Sequence, residues 1–565
     1  MISFVLLWLL FFAAASCFTA FLSTFRKGGG KWGKVLFILC GALIIISATS
    51  FSVVTYFLYV KGFKPDWLFV YAFSWFIAYT SLFGFFTLKN VYPLAYRLKT
   101  CLAAIVFLMA GLFLFAHMDR KAIAYLKDVQ KDAQALIESV NSPPVADEKN
   151  ALTYYEEAFN LLDKHDKLPR WVTTFRRKND DGFSIPKAKV VLEERKEVMA
   201  LLKKAALTES FHQPLEASYK YEIPLFAPYR NSAYLLALQA HLYAIEGNIQ
   251  SSLETIEHIW KIADHLNDYP VLISNLLSIA VAGIGYDALE KALYDVREFK
   301  GNDMDLPASK ALEFLKSYPE VMKGESAFGM GGWAEELSSD NIFYTMEEWI
   351  DIGFPPIHRD IPGNVLYAVV DFNNAVISSL YRVFFASEDV AVGERYWKGF
   401  FQHLEKPFHN GFRPFKKWEK EIKNDKGGPL TGVEFFFRSD DMMSHYYARN
   451  AEGEARQRLA AFALAVEGFR AEKGKYPSSI TELKPRFLAE IAIDPFDGKP
   501  LKIKAVDGGL ILYSIGRDMV DDGGAELVSD EKKGFLFVKK KGDITFLLGK
   551  IFKERRLKTE SDSSL

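Results

Sequence analysis

The sequence predicts a membrane all-α segment of four transmembrane helices, then a mainly α-helical soluble domain, then a small α+β C-terminal domain. Three observations predict it. Four apolar runs without Asp, Glu, Lys or Arg fill most of residues 1–118. From Arg120 to about Arg449 apolar residues recur mostly at helical spacing. After residue 450 one strong helix is followed by turn clusters and two short strand patterns. The expected boundaries are 1–118 for the anchor, 119–450 for the helical domain, 451–556 for the α+β module and 557–565 for a polar, disordered tail.

The apolar runs are Met1–Phe25, Val35–Val60, Leu68–Leu88 and Cys101–Met118. Each has at least 18 residues, and at 1.5 Å per residue the shortest reaches about 27 Å, close to one hydrocarbon core. Trp67 and Tyr92 stand at run edges, where amphipathic rings prefer the interface. Ala14-Ala15-Ser16-Cys17 has some likeness to a lipoprotein cleavage site, but the apolar run continues to Phe25, so an uncleaved helix is expected. The loop Arg26–Lys34 has four positive charges, Lys61–Trp67 two and Lys89–Thr100 three. Basic loops stay cytoplasmic, so the first and third loops lie inside and both termini outside, with the large C-terminal region extracytoplasmic. Asp119-Arg120-Lys121 argues mildly the other way. Apart from His117, at the edge of the last run, the runs hold no acidic or basic side chain, which disfavours a transport path.

Charge divides the chain in the same place. Residues 1–118 hold nine Lys/Arg and one acid, whereas the remainder has a formal charge of −9 and the whole chain −1. This argues against nucleic acid as a partner. The cysteines, Cys17, Cys40 and Cys101, all lie in the apolar segment, which excludes a disulfide framework or a Cys-ligated zinc site farther on.

In the middle region, Ala122–Val140 reads as an amphipathic helix stopped by Pro143-Pro144, followed by helices at Ala151–Lys164 and Pro186–Ala206. Ser232–Ile245 and Ile249–Leu266, broken at Gly247-Asn248, form a helical hairpin of tetratricopeptide outline without a clear 34-residue repeat. Pro270 opens another apolar helix to about Leu293. Residues 325–432, rich in Phe, Trp, Gly and Pro, read as less regular.

Catalytic signatures are sparse. His358-Arg359-Asp360 with Asn364 misses the kinase catalytic-loop spacing by one residue and has no glycine-rich phosphate loop before it. His258 and His265 share a helix face, and His403 and His409 flank Pro407, but two histidines do not define a metal site. Glu325 reads either as a buried acid or as a helix-capping residue.

The C-terminal module begins with the helix Glu452–Lys473, ended by Gly474. Strands follow at Leu501–Ala505 and Leu510–Ser514, joined at Asp507-Gly508-Gly509, and a further strand is expected at Phe535–Val538. From about Ala455 to Gly524 the ordered series of helix, Gly474-Lys475-Tyr476-Pro477, Leu483, Asp494-Pro495-Phe496, Gly498-Lys499-Pro500, Tyr513-Ser514, Gly516 and an acidic glycine loop resembles the globular part of type II secretion major pseudopilins. The resemblance implies a long helix on a small antiparallel sheet, with a structural calcium ion in the acidic loop. By match, Asp518, Asp521 and Asp522 are its implied ligands. The chain lacks that family's basic leader, glycine-phenylalanine junction and membrane glutamate, so neither prepilin-peptidase processing nor filament entry is expected. The overall order resembles bacterial multi-pass envelope proteins of unassigned activity. The expected role is a membrane-anchored extracytoplasmic binding or assembly protein of the inner membrane, with the lipid bilayer and an envelope protein as partners. A membrane-bound enzyme with a site in residues 320–450, or a transporter subunit, is the alternative.

Overall fold

The computed structural model describes residues 94–175, 183–218, 220–221, 227–296, 318–339, 378–379, 381–404, 406–422, 442–526, 528–529 and 540–556. The first three apolar runs, His358-Arg359-Asp360, the strand expected at Phe535–Val538 and the tail from 557 lie outside these residues. What is described is mainly helical, with thirteen α-helices and a small three-stranded antiparallel sheet near the C-terminus. The chain divides into two compact units. One comprises Met1–Gln130, Trp333–Arg395 and Lys423–Arg438; the other Lys131–Gly332, Tyr396–Ile422 and Ser439–Leu565.

Helix α1, Leu94–Val140, takes in the whole fourth apolar run and the amphipathic segment after it. In the second unit, α2 (Ala151–Leu162) starts at Asn150, whose side chain accepts from Leu152 N. After the short α3 (Arg170–Thr174), the helix expected over Pro186–Ala206 is two helices, α4 (Ile185–Glu194) and α5 (Lys196–Leu207). They break at Arg195, whose guanidinium turns inward to the Val191 and Asp166 carbonyls, a local demand that periodicity does not register. The hairpin is α6 (Ala227–Ile245) and α7 (Ile249–Asn267), with Gly247 at φ +81° in the turn and Asn248 capping α7 at Ser251 N.

Helix α8, Leu272–Asp295, packs on α6 and α7. By length and composition it is long and apolar enough to cross a membrane. It is nevertheless a core helix, burying Ser274, Asn275, Ser278, Glu290 and Lys291 against protein partners.

The stretch expected to be irregular is largely helical where described: α9 (Tyr318–Ser338), α10 (Ser387–Leu404) and α11 (Phe408–Ile422), with a π-helical turn at Arg382–Ala386. Tertiary packing overrides weak helix propensity here. Gly331 abuts Ala133 and Ala217, where a Cβ would overlap both methyls. Pro414 stands inside α11 on its exposed side, while Phe408, Gly411, Phe415 and Glu419 are buried.

Helix α12 runs from Met442 to Lys473, ten residues longer at its start than the pattern indicates. Gly474, at φ +71°, ends it. Strands β1 (Lys502–Val506) and β2 (Gly509–Ser514) form the expected hairpin, with Val506 opposite Gly509 and Gly508 at φ +73° in the Asp-Gly turn. Two-residue strands β3 (Val528–Ser529) and β4 (Lys540–Lys541) pair separately. The third strand of the sheet is β5 (Ile544–Gly549), antiparallel to β2, followed by α13 (Lys550–Arg556). Sequence reading missed β5, whose partner lies thirty-odd residues away across polar chain. The central strand β2 is buried throughout, and the sheet packs on both α8 and α12.

Candidate functional site

The acidic glycine loop follows β2 and is held on both flanks. Ahead of it, Asp494 is fully buried and accepts from Phe496 N (3.0 Å), Ile515 N (2.9 Å) and the Ser514 hydroxyl (2.9 Å). This bolts the Asp494-Pro495-Phe496 turn to the end of β2. Burial pushes the Asp494 carboxyl up, with the three hydrogen bonds opposing. Arg517 is drawn inward to Glu452 of α12 at 3.1 Å, and Arg449 meets the same carboxylate at 3.1 Å.

The three aspartates do not converge. Asp518 accepts from Val520 N (3.2 Å) and Gly542 N (3.1 Å). Asp521 accepts from Gly523 N (3.0 Å) and from the Tyr513 hydroxyl, which burial and the charges of Asp521 and Asp543 push up to about 12. Asp522 contributes its backbone N–H to Asp543 at 3.3 Å. Asp543, fully buried, also accepts from Gly524 N at 2.6 Å, and burial raises its pKa. Two loop carbonyls are engaged by cations: Lys504 Nζ donates to Gly523 O and Arg555 Nη1 to Gly524 O, each at 2.7 Å. Calcium takes six to eight oxygens around one point. Here the carboxylates of Asp518, Asp521 and Asp543 are bound to separate backbone amides, and no group of three or more His, Cys, Asp or Glu among the described residues is placed to hold a metal ion. The residues present do not fit the implied ion. Sequence reading missed Asp543, Lys504 and Arg555, which reach the loop only through the sheet.

Other buried charges join elements. Glu325 of α9 accepts from Leu272 N at 2.8 Å and so caps α8; burial raises its carboxyl pKa. Glu419 of α11 likewise accepts from Ser444 N at 3.3 Å and from the Ser444 hydroxyl, capping α12. Glu290 of α8 accepts from Leu547 N at 2.6 Å and pairs with Arg556 at 3.1 Å. Glu467 pairs with Arg470 at 2.6 Å and receives the Tyr476 hydroxyl at 3.3 Å, folding the Lys475-Tyr476-Pro477 segment back onto α12. His241 lies 2.8 Å from Asp295, beside Phe175 and Phe183; burial lowers its pKa and that of Lys291, which is 3.5 Å from the same carboxylate. In the first unit, Arg382 is buried at the π-turn. It pairs with Asp119 at 2.8 Å and donates to the Ser379 hydroxyl at 3.0 Å and to the Ser339 carbonyl.

The paired histidines stay apart in role. His265 bonds the Tyr155 hydroxyl at 2.9 Å inside the core, and His258 is half-buried on α7. His403 meets its own helix at Gly399 O (2.8 Å), whereas His409 lies against Gly498. No protein family, no curated protein and no solved structure matches the chain.

Proposed function

We propose that this chain is a membrane-anchored extracytoplasmic binding or assembly protein of the bacterial cell envelope, held by four spans and presenting the helical region and the α+β module outside the cytoplasm. The observation that carries the reading is α1. One unbroken helix of 47 residues, about 70 Å long, contains the 18-residue apolar run and continues into polar sequence. Phe113, inside that run, is 74% exposed, the condition that lipid contact would satisfy. The seven positive charges in the first and third loops, against two in the second, support the orientation.

A presenting role, rather than a chemical one, is favoured by what the buried charges do. Glu325, Glu419, Asp494, Glu290 and Arg382 each hold one element to another. The pseudopilin-like character of the module is supported by a long helix packed on a three-stranded antiparallel sheet.

Photo-crosslinking in intact cells tests the binding role. A crosslinker placed at Leu207 (66% exposed) or Val190 (57% exposed) is expected to give a discrete adduct with an envelope protein. Absence of adducts there and at Ile273, with the protein present in the membrane at normal level, would count against it.

A further inference from the structure

We propose that the acidic loop Gly516–Gly524 is closed by two of the chain's own cations, Lys504 and Arg555, in the role a divalent ion would otherwise take, so that its order is independent of calcium. The inference stands apart from the envelope role and rests on the loop alone. Four aspartates lie in or against it: Asp518, Asp521, Asp522 and Asp543. A calcium ion would offset such charge by drawing carboxylates and backbone carbonyls onto one centre. Here these jobs are divided. Backbone amides of Val520, Gly523, Gly524, Gly542 and Asp522 supply the hydrogen bonds to the carboxylates. The positive charge comes from β1 on one side and α13 on the other. Lys504 Nζ and Arg555 Nη1 meet the consecutive carbonyls of Gly523 and Gly524 at 2.7 Å. Ammonium and guanidinium groups only donate, so each satisfies a carbonyl of the two glycines that follow Asp521-Asp522 in the chain. Both carbonyls are therefore already engaged by a cation, and the carboxylates of Asp518, Asp521 and Asp543 are taken up by separate amides.

Hydrogen exchange on the full-length protein in detergent, read on peptides covering residues 516–526, tests the proposal. Wild type is expected to show the same protection in excess calcium chloride as in EGTA. The double variant Lys504→Met/Arg555→Met keeps the aliphatic stems and removes both charges. It is expected to exchange at least about tenfold faster in this loop, in calcium and chelator alike. Peptides from α6 and α7 report whether the variant is folded. If the double variant does not fold, the single Lys504→Met, at an exposed side chain, is read in the same way. Wild-type protection that rises about tenfold on adding calcium would overturn the proposal. So would a folded variant as well protected as wild type.

Discussion

Glu325 illustrates how a single side chain can look catalytic and serve architecture. Its carboxylate is in the interior near Tyr269 and Tyr446, and its hydrogen bond from the Leu272 N–H supplies an acceptor that the start of α8 lacks. Burial raises its pKa, so over a range above the ordinary carboxylate value of about 4.3 the folded state holds a proton that the unfolded chain has released. The associated stability is complete below that value and is lost as pH rises through the folded pKa. Glu325→Gln keeps an acceptor oxygen and removes the titration. Urea unfolding should show its stability equal to or above wild type at alkaline pH, with a flatter pH dependence above the ordinary carboxylate range. Glu325→Ala removes the cap and should cost about 0.5–2 kcal/mol. The sequence offered the buried-acid and capping readings side by side. It could not choose between them, because the capped helix begins 53 residues away.

Among elements, the Asp494-Pro495-Phe496 turn is bound to β2 by one carboxylate with three donors. Asp494→Ala leaves all three buried without their acceptor and should destabilise the second unit by about 3 kcal/mol, measured by denaturant unfolding. Gly331→Leu should cost about 1–3 kcal/mol in the same assay, since α9 meets Ala133 and Ala217 there with no room for a side chain. Elements defined by local chemistry were legible: the Gly247-Asn248 break, the Gly474 stop and the Asp507-Gly508 hairpin are each fixed by neighbouring residues. Helices α9 and α11 were not, because glycine, proline and crowded aromatics signal irregular chain until a partner surface is present. Phe408 meets Phe496 and Tyr447, and Phe415 meets Phe400 and Trp418, contacts that no local pattern encodes. The acidic loop was legible as a cluster, but its manner of closure was not, since Lys504, Arg555 and Asp543 come from three other segments.

For the whole molecule, the end of α1 belongs to the folded second unit. Gln134 accepts from Ala217 N at 2.9 Å, Asn141 donates to Gln213 O at 3.1 Å, and His212 Nδ1 lies 2.6 Å from Ser142 O. A fragment starting at Lys131 should therefore unfold at a higher urea midpoint than one starting at Asn150, with both helical by circular dichroism. Equal midpoints would mean that residues 131–149 add nothing to that unit. The proposed anchoring rests on the apolar runs, and the proposed orientation on the seven positive charges of the first and third loops against two in the second. A topology reporter fused after Leu565 tests that account most directly. It predicts activity only outside the cytoplasm, with the Arg26–Lys34 loop shielded from membrane-impermeant reagents added to intact cells. Reporter activity in the cytoplasm, with that loop labelled from outside, would contradict it.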